Sequence, residues 1–224
     1  MTIVNILILI FLIISSILTI LFIVLTNHFK DKNDNLSFLN SYPYEYFLSM
    51  SLSKRVALYI IFFLDLLIQA TLTFTSLFLL NTTAVYLIIL SFISLFAFVL
   101  FSIGFITPLS YLKQHIICII SSFLLFMSYN VLLSFVTVIN ENFKLNFSLT
   151  ILVLIGVIGF ISMLSFINPN VSKFAKLNKT EDNGKTIYIK PKVNSLPLYE
   201  WIYLILFQLS TILISINGVI YIKY

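Results

Sequence analysis

The sequence predicts an all-α integral membrane protein: a six-helix transmembrane bundle with a small cytoplasmic β-hairpin between its fifth and sixth helices. Three observations predict it. The 224 residues are 60% hydrophobic and 9% charged, against roughly 45 to 50% and 25% in an ordinary soluble domain. Six apolar runs, residues 3–25, 56–80, 84–106, 116–139, 149–167 and 198–222, match the ~17 to 25 residues that cross a ~30 Å hydrocarbon core. Finally, if every run crosses, the loops alternate sides, and eleven of the thirteen Lys and Arg fall on one side, with only Lys144 and Lys223 on the other. Basic residues stay cytoplasmic, so both termini are expected outside and the long loops 27–54 and 170–195 inside. One crossing more or fewer would scramble that split. Residues 1–224 then form a single transmembrane domain in a cell membrane.

The first run is interrupted by Asn5, Ser15, Ser16 and Thr19. It lacks a basic segment before it and an Ala-x-Ala site after it, and it exceeds the ~7 to 15 apolar residues of a signal peptide, so it is expected to remain as the first helix. Loop 27–54 opens with His28, Lys30, Asp31, Lys32 and Asp34 and continues as Tyr42-Pro43-Tyr44-Glu45-Tyr46-Phe47. Tyr-rich amphiphilic segments favour the membrane interface, so this one is expected to lie against the headgroups, with partner docking as its other use.

The second run carries Asp65, ten residues past Arg55, which at ~1.5 Å per residue is about 15 Å deep and near the bilayer midplane. A carboxyl group there costs about 2.5 to 3.5 kcal/mol on insertion scales, so it should face the protein interior. Gln69, Thr73 and Ser76 follow at i+4, i+8 and i+11, and at about 100° per residue they share one stripe with it.

Asn81-Thr82-Thr83 turns the chain into the third run, whose Ser91, Ser94 and Ala97 suit close helix packing and which Pro108 closes. The fourth run follows Lys113 and His115 and carries a stripe of Asn130, Ser134 and Thr137. Beyond Glu141 and Lys144, the fifth run holds a small-residue patch of Gly156, Gly159 and Ser162, expected as a helix contact, and ends at Asn168-Pro169. Between 170 and 195, Asn183-Gly184 is a hairpin turn signal and Thr186-Ile187-Tyr188-Ile189-Lys190 alternates as a strand does. Pro197 opens the sixth run, with Glu200 in its first turn and Gln208, Thr211 and Ser215 continuing the same stripe.

The second and sixth runs enter from the same side, and Gln208, eleven residues past Pro197, reaches the depth of Asp65. The expected site is therefore one intramembrane polar layer of Asp65, Gln69 and Gln208, extended outward by Asn130, Thr73 and Thr211. Glu200 has a bland alternative, because a carboxylate in a first helical turn is favoured by the helix dipole. His28 and His115 have no second histidine at ligand spacing, so no metal is expected. The single Cys118 excludes an intrachain disulfide and a Cys-based zinc site.

Short enzyme signatures are absent: there is no His-Glu-x-x-His, Gly-x-Ser-x-Gly or Gly-rich phosphate loop, and Asp65 has no second midplane carboxylate for an aspartyl dyad. Neither an enzyme nor a cofactor is expected. The excess of basic residues is read as a topology signal and not as a nucleic-acid surface. Twelve of the thirteen basic residues are Lys, and with abundant Ile, Phe and Asn this points to the AT-rich genome of a low-GC bacterium. Two functions fit. One is a non-enzymatic membrane component that acts through membrane-protein partners or a second copy. The alternative is a small transporter or permease subunit whose path follows Asp65, Gln69 and Gln208. In size and helix number the chain resembles permease subunits of bacterial export transporters, a resemblance that extends to no motif.

Overall fold

The computed structural model describes residues 3–30, 36–79, 84–107, 111–139, 147–164, 178–182, 185–189 and 196–221, with the backbone alone for 178–189. Its helices are α1 (Ile3–Phe29), α2 (Pro43–Leu48), α3 (Leu52–Leu79), α4 (Ala84–Ile106), α5 (Leu112–Ile139), α6 (Phe147–Leu164) and α7 (Leu196–Tyr221). Strands β1 (Asn178–Asp182) and β2 (Lys185–Ile189) pair antiparallel, Asn178 opposite Ile189 and Asp182 opposite Lys185. The turns at 81–83 and Asn183-Gly184, Pro108, the Glu141 to Lys144 turn and Asn168-Pro169 lie outside the described residues.

Five helices, α1, α3, α4, α5 and α7, are long and apolar enough to cross a membrane, and α6 is a shorter apolar helix. Their burial pattern is that of a protein dissolved in lipid. On α1 the buried residues are Asn5, Ile8, Leu12, Ser15, Thr19, Phe22 and Thr26, a strict seven-residue alternation of threes and fours. Four of those seven are polar, while Ile13 is 61% and Ile20 62% exposed. A soluble helix would put these residues the other way round, since water does not tolerate so large a contiguous apolar surface. The same inversion holds on α7, where only a stripe of Ile202, Ile205, Leu209, Ile216 and Ile220 is exposed.

Helix α7 is the hub. It packs against α1, α3, α5 and α6, and α1 and α3 also pack on each other; α4 joins α3 to α5, and α5 joins α4 to α6. Polar contacts tie α7 to its neighbours along its whole length. From its start to its end, Glu200 meets His115 of α5, Tyr203 shares a hydrogen bond with Ser122 of α5 at 2.7 Å, Ser210 accepts one from Asn130 of α5 at 3.0 Å, and Asn217 Oδ1 accepts one from Ser148 of α6 at 2.8 Å. In lipid such bonds hold helices together because the apolar surface has little to gain from association.

The segment Tyr42 to Phe47 is built into the protein: α2 plugs the end of the bundle, with Tyr42, Tyr46 and Phe47 fully buried. Pro43 opens the helix, and the Glu45 carboxylate accepts the backbone N–H of Tyr42 at 2.8 Å, closing a capping box. Tyr46 stacks on Phe38 and meets Trp201 edge-on, Phe47 contacts Phe22 and Phe105, and the Trp201 indole donates to the Ser41 carbonyl at 3.1 Å. Burial, and secondarily the Glu45 carboxylate, pushes the Tyr46 phenol up to about 12. The aromatic amphiphilicity that favours headgroups serves equally well for a protein interior rich in Phe, and the sequence does not distinguish the two.

Candidate functional site

The polar groups of α1, α3 and α7 meet at one level. Ser15 and Ser16 stand at the middle of the 27-residue α1, Asp65 at the middle of the 28-residue α3 and Gln208 at the middle of the 26-residue α7. Ser15, Asp65 and Gln208 each lie on the buried seam of their helix, and those seams face one another.

The Ser15 hydroxyl lies 2.5 Å from Asp65 Oδ1 and 2.9 Å from Gln208 Oε1. One turn on, the Thr19 hydroxyl lies 2.5 Å from Asp65 Oδ2 and 3.3 Å from Gln208 Oε1. Gln208 Nε2 donates to the Ser16 hydroxyl at 3.1 Å, and that hydroxyl donates in turn to the Leu12 carbonyl at 2.8 Å. The Gln69 amide lies beside the Asp65 carboxyl group, while its own Oε1 is buried without a partner. The junction is closed to its surroundings: Asp65 is 4%, Gln69 2% and Gln208 6% exposed. The basic residues of α3, Lys54 and Arg55, stand near its start, about 15 Å from Asp65 along the axis, too far for an ion pair.

Of the six residues expected to form a layer, Asp65, Gln69 and Gln208 gather here. Thr73 is buried one turn beyond Gln69, and Thr211 is buried one turn beyond Gln208, donating to the Phe207 carbonyl of its own helix at 3.0 Å. Asn130 belongs to a separate contact, its amide donating to Ser210. Sequence reasoning missed Ser15, Ser16 and Thr19 as members of the site. The available signal was that Ser15 and Thr19 are spaced i, i+4 at the middle of their run, although a helical hydroxyl so often bonds its own backbone that it is a weak one.

A second titratable pair sits near the starts of α5 and α7. His115 is 1% and Glu200 2% exposed; Nε2 of the ring lies 3.3 Å from Glu200 Oε2, and Nδ1 lies 2.7 Å from the Gly104 carbonyl. Both ring nitrogens thus face oxygen. Tyr42 caps the ring edge-on at 5.2 Å, and the pocket beside the pair, walled by Ile116, Ile119, Ile120 and Phe123, has a free volume of about 20 Å³, room for one water. Glu200 is therefore buried, with His115 as its partner.

No family model matches this chain, and neither a curated protein nor a solved structure matches it. What the junction can do is set by its chemistry: hydroxyls, carboxamides and one carboxyl group, mutually hydrogen-bonded, joining the mid-lengths of three long apolar helices.

Proposed function

We propose that the chain is a non-enzymatic, multi-pass component of a bacterial cell membrane, built as a closed bundle and acting through membrane-protein partners or a second copy of itself. The observation that carries this reading is the closure of the mid-length junction. Asp65, Gln69 and Gln208 are almost fully buried and joined to one another or to Ser15, Thr19 and Ser16, which is how polar residues glue helices in lipid. A conducting path would instead leave such groups lining a water-filled cavity.

The reading includes six crossings with both termini outside and loops 27–54 and 170–195 cytoplasmic. Supporting it, Ser148 at the start of α6 bonds Asn217 near the end of α7, whereas Glu200 and Trp201 near the start of α7 meet His115 and Ser41 at the opposite end of the bundle. The chain has to traverse the bundle between those two points, and the 18-residue α6 covers about 27 Å of a ~30 Å core.

A second reading, a small transporter with its path along Asp65, Gln69 and Gln208, draws on the carboxyl group itself, because intramembrane acids often serve proton or cation movement. Purified protein in sealed liposomes separates the two. The proposed function predicts no proton or Na⁺ flux above that of protein-free liposomes under an imposed gradient. Flux that disappears in Asp65→Asn would establish the transporter instead.

A further inference from the structure

The number of hydrogens in the junction identifies its proton. The Ser16 hydroxyl has one hydrogen, and the Leu12 carbonyl takes it. Ser16 must then accept from Gln208, which fixes Nε2 toward Ser16 and turns Oε1 toward Ser15 and Thr19. Three of the resulting oxygen-to-oxygen contacts are short, Ser15 with Asp65 Oδ1, Ser15 with Gln208 Oε1, and Thr19 with Asp65 Oδ2, while Thr19 stands farther from Gln208 Oε1, at 3.3 Å. Ser15 and Thr19 bring two hydrogens to those three contacts. With an ionised carboxylate both would go to Asp65, leaving the Ser15 hydroxyl and Gln208 Oε1 facing each other lone pair to lone pair at 2.9 Å, in a site too buried for water to intervene.

We propose that this junction is a binding site for one proton, held by Asp65 as a neutral carboxylic acid. Asp65 then donates to Ser15, Ser15 donates to Gln208 Oε1, and Thr19 donates back to Asp65 Oδ2, so each of the three short contacts has a hydrogen. The surrounding groups agree. The side chains that reach the carboxyl are the hydroxyls of Ser15 and Thr19 from α1 and the amide of Gln69 from α3, with the Gln208 amide of α7 behind the hydroxyls. Helix α4, the other neighbour of α3, contains no Asp, Glu, Lys, Arg or His. Among the described residues an ionised Asp65 would have no positive side chain to balance it, and a buried charge without a counter-charge is costly. The inference goes beyond the proposed function, because it fixes the hydrogen-bond direction inside the junction and stands on that geometry alone.

The test is an infrared difference spectrum, wild type minus Asp65→Asn, of the protein in lipid nanodiscs at pH 7. The expected result is a carbonyl stretch of a protonated carboxylic acid present in the wild type and lost in the variant. A difference spectrum with only the paired bands of an ionised carboxylate would overturn the proposal. Thermal unfolding of the same pair gives a second reading: the Asn side chain can donate to Ser15 and accept from Thr19 as the neutral acid does, so its Tm should lie within about 3 °C of the wild type in both Na⁺ and K⁺ salts. A large fall, or a wild-type Tm raised by Na⁺ and a variant Tm indifferent to it, would show that the carboxylate or a bound cation is what the site needs. Neither readout depends on flux, so this proposal and the proposed function fail separately.

Discussion

The two halves of the bundle are held by different means. Helices α1, α3 and α7 meet through side-chain hydrogen bonds at mid-length, whereas α4, α5 and α6 meet through small residues that let backbones come close. A Cβ built on Gly156 of α6 would stand 2.5 Å from Val131 Cγ2 and 3.0 Å from the Met127 carbonyl oxygen, both on α5, and one on Gly104 of α4 would stand 2.9 Å from Ile119 Cγ1. Hydroxyls help in this half too, but against backbone, as Ser122 donates to the Ala97 carbonyl at 2.7 Å. Without a hydrophobic driving force between helices, a membrane bundle has these two resources, close van der Waals packing and polar contacts, and each half leans on one of them, although Gly218 of α7 also lies close to α3, where a Cβ would stand 3.2 Å from Ser76 Cα.

That contrast is most exposed by adding bulk where packing alone holds. Gly156→Leu should push α6 off α5 and lower stability by about 1 to 3 kcal/mol, read as a fall in the temperature at which detergent-solubilised protein loses its monodisperse gel-filtration peak. The bonded half should respond to chemistry at nearly constant volume. Gln208→Leu removes the partner of Ser15, Thr19 and Ser16 together and should cost about 1 to 2 kcal/mol; if Gln208→Leu proved harmless, the three-helix junction would be an arrangement without energetic weight. The mildest change is Ser148→Ala, which takes the bond to Asn217 from the α6–α7 contact and should cost about 0.6 kcal/mol, the average for one such bond in a membrane bundle. A cost for Ser148→Ala equal to that of Gly156→Leu would mean that one interhelical hydrogen bond weighs as much on α6 as close packing does.

The two halves also differed in how far the sequence could be read. A polar residue in an apolar run is conspicuous because its cost in lipid demands a reason, so Asp65, Gln69 and Gln208 stand out, and helical periodicity puts Asp65 and Gln69 on one face. Which helix that face meets is a matter of tertiary contact between residues as far apart as Ser15 and Gln208, or His115 and Glu200, and no local pattern encodes it. Ser15 and Thr19 are ambiguous for a second reason, because a hydroxyl in a helix can satisfy itself on its own backbone, as Ser16 does with Leu12 and Thr26 with Phe22. The glycines of α6 were legible as a contact surface but not as a surface for α5. That Tyr42, Tyr46 and Phe47 turn into the protein was not legible, because aromatic side chains with a polar tip suit both a headgroup layer and a bundle end lined by Phe22, Phe105 and Trp201.

The claim that the polar junction is a closed tie, and not part of a path, is tested most directly by water access to Thr73, the buried threonine that continues the Asp65 stripe. In a Cys118→Ser background, Thr73→Cys should resist a small, charged, membrane-impermeant methanethiosulfonate reagent applied to both faces of nanodisc-embedded protein, while a cysteine at the exposed Ser53 reacts to completion. Reaction of Thr73→Cys at a rate comparable to the Ser53→Cys control would mean that water reaches the core of the bundle, and would contradict the account.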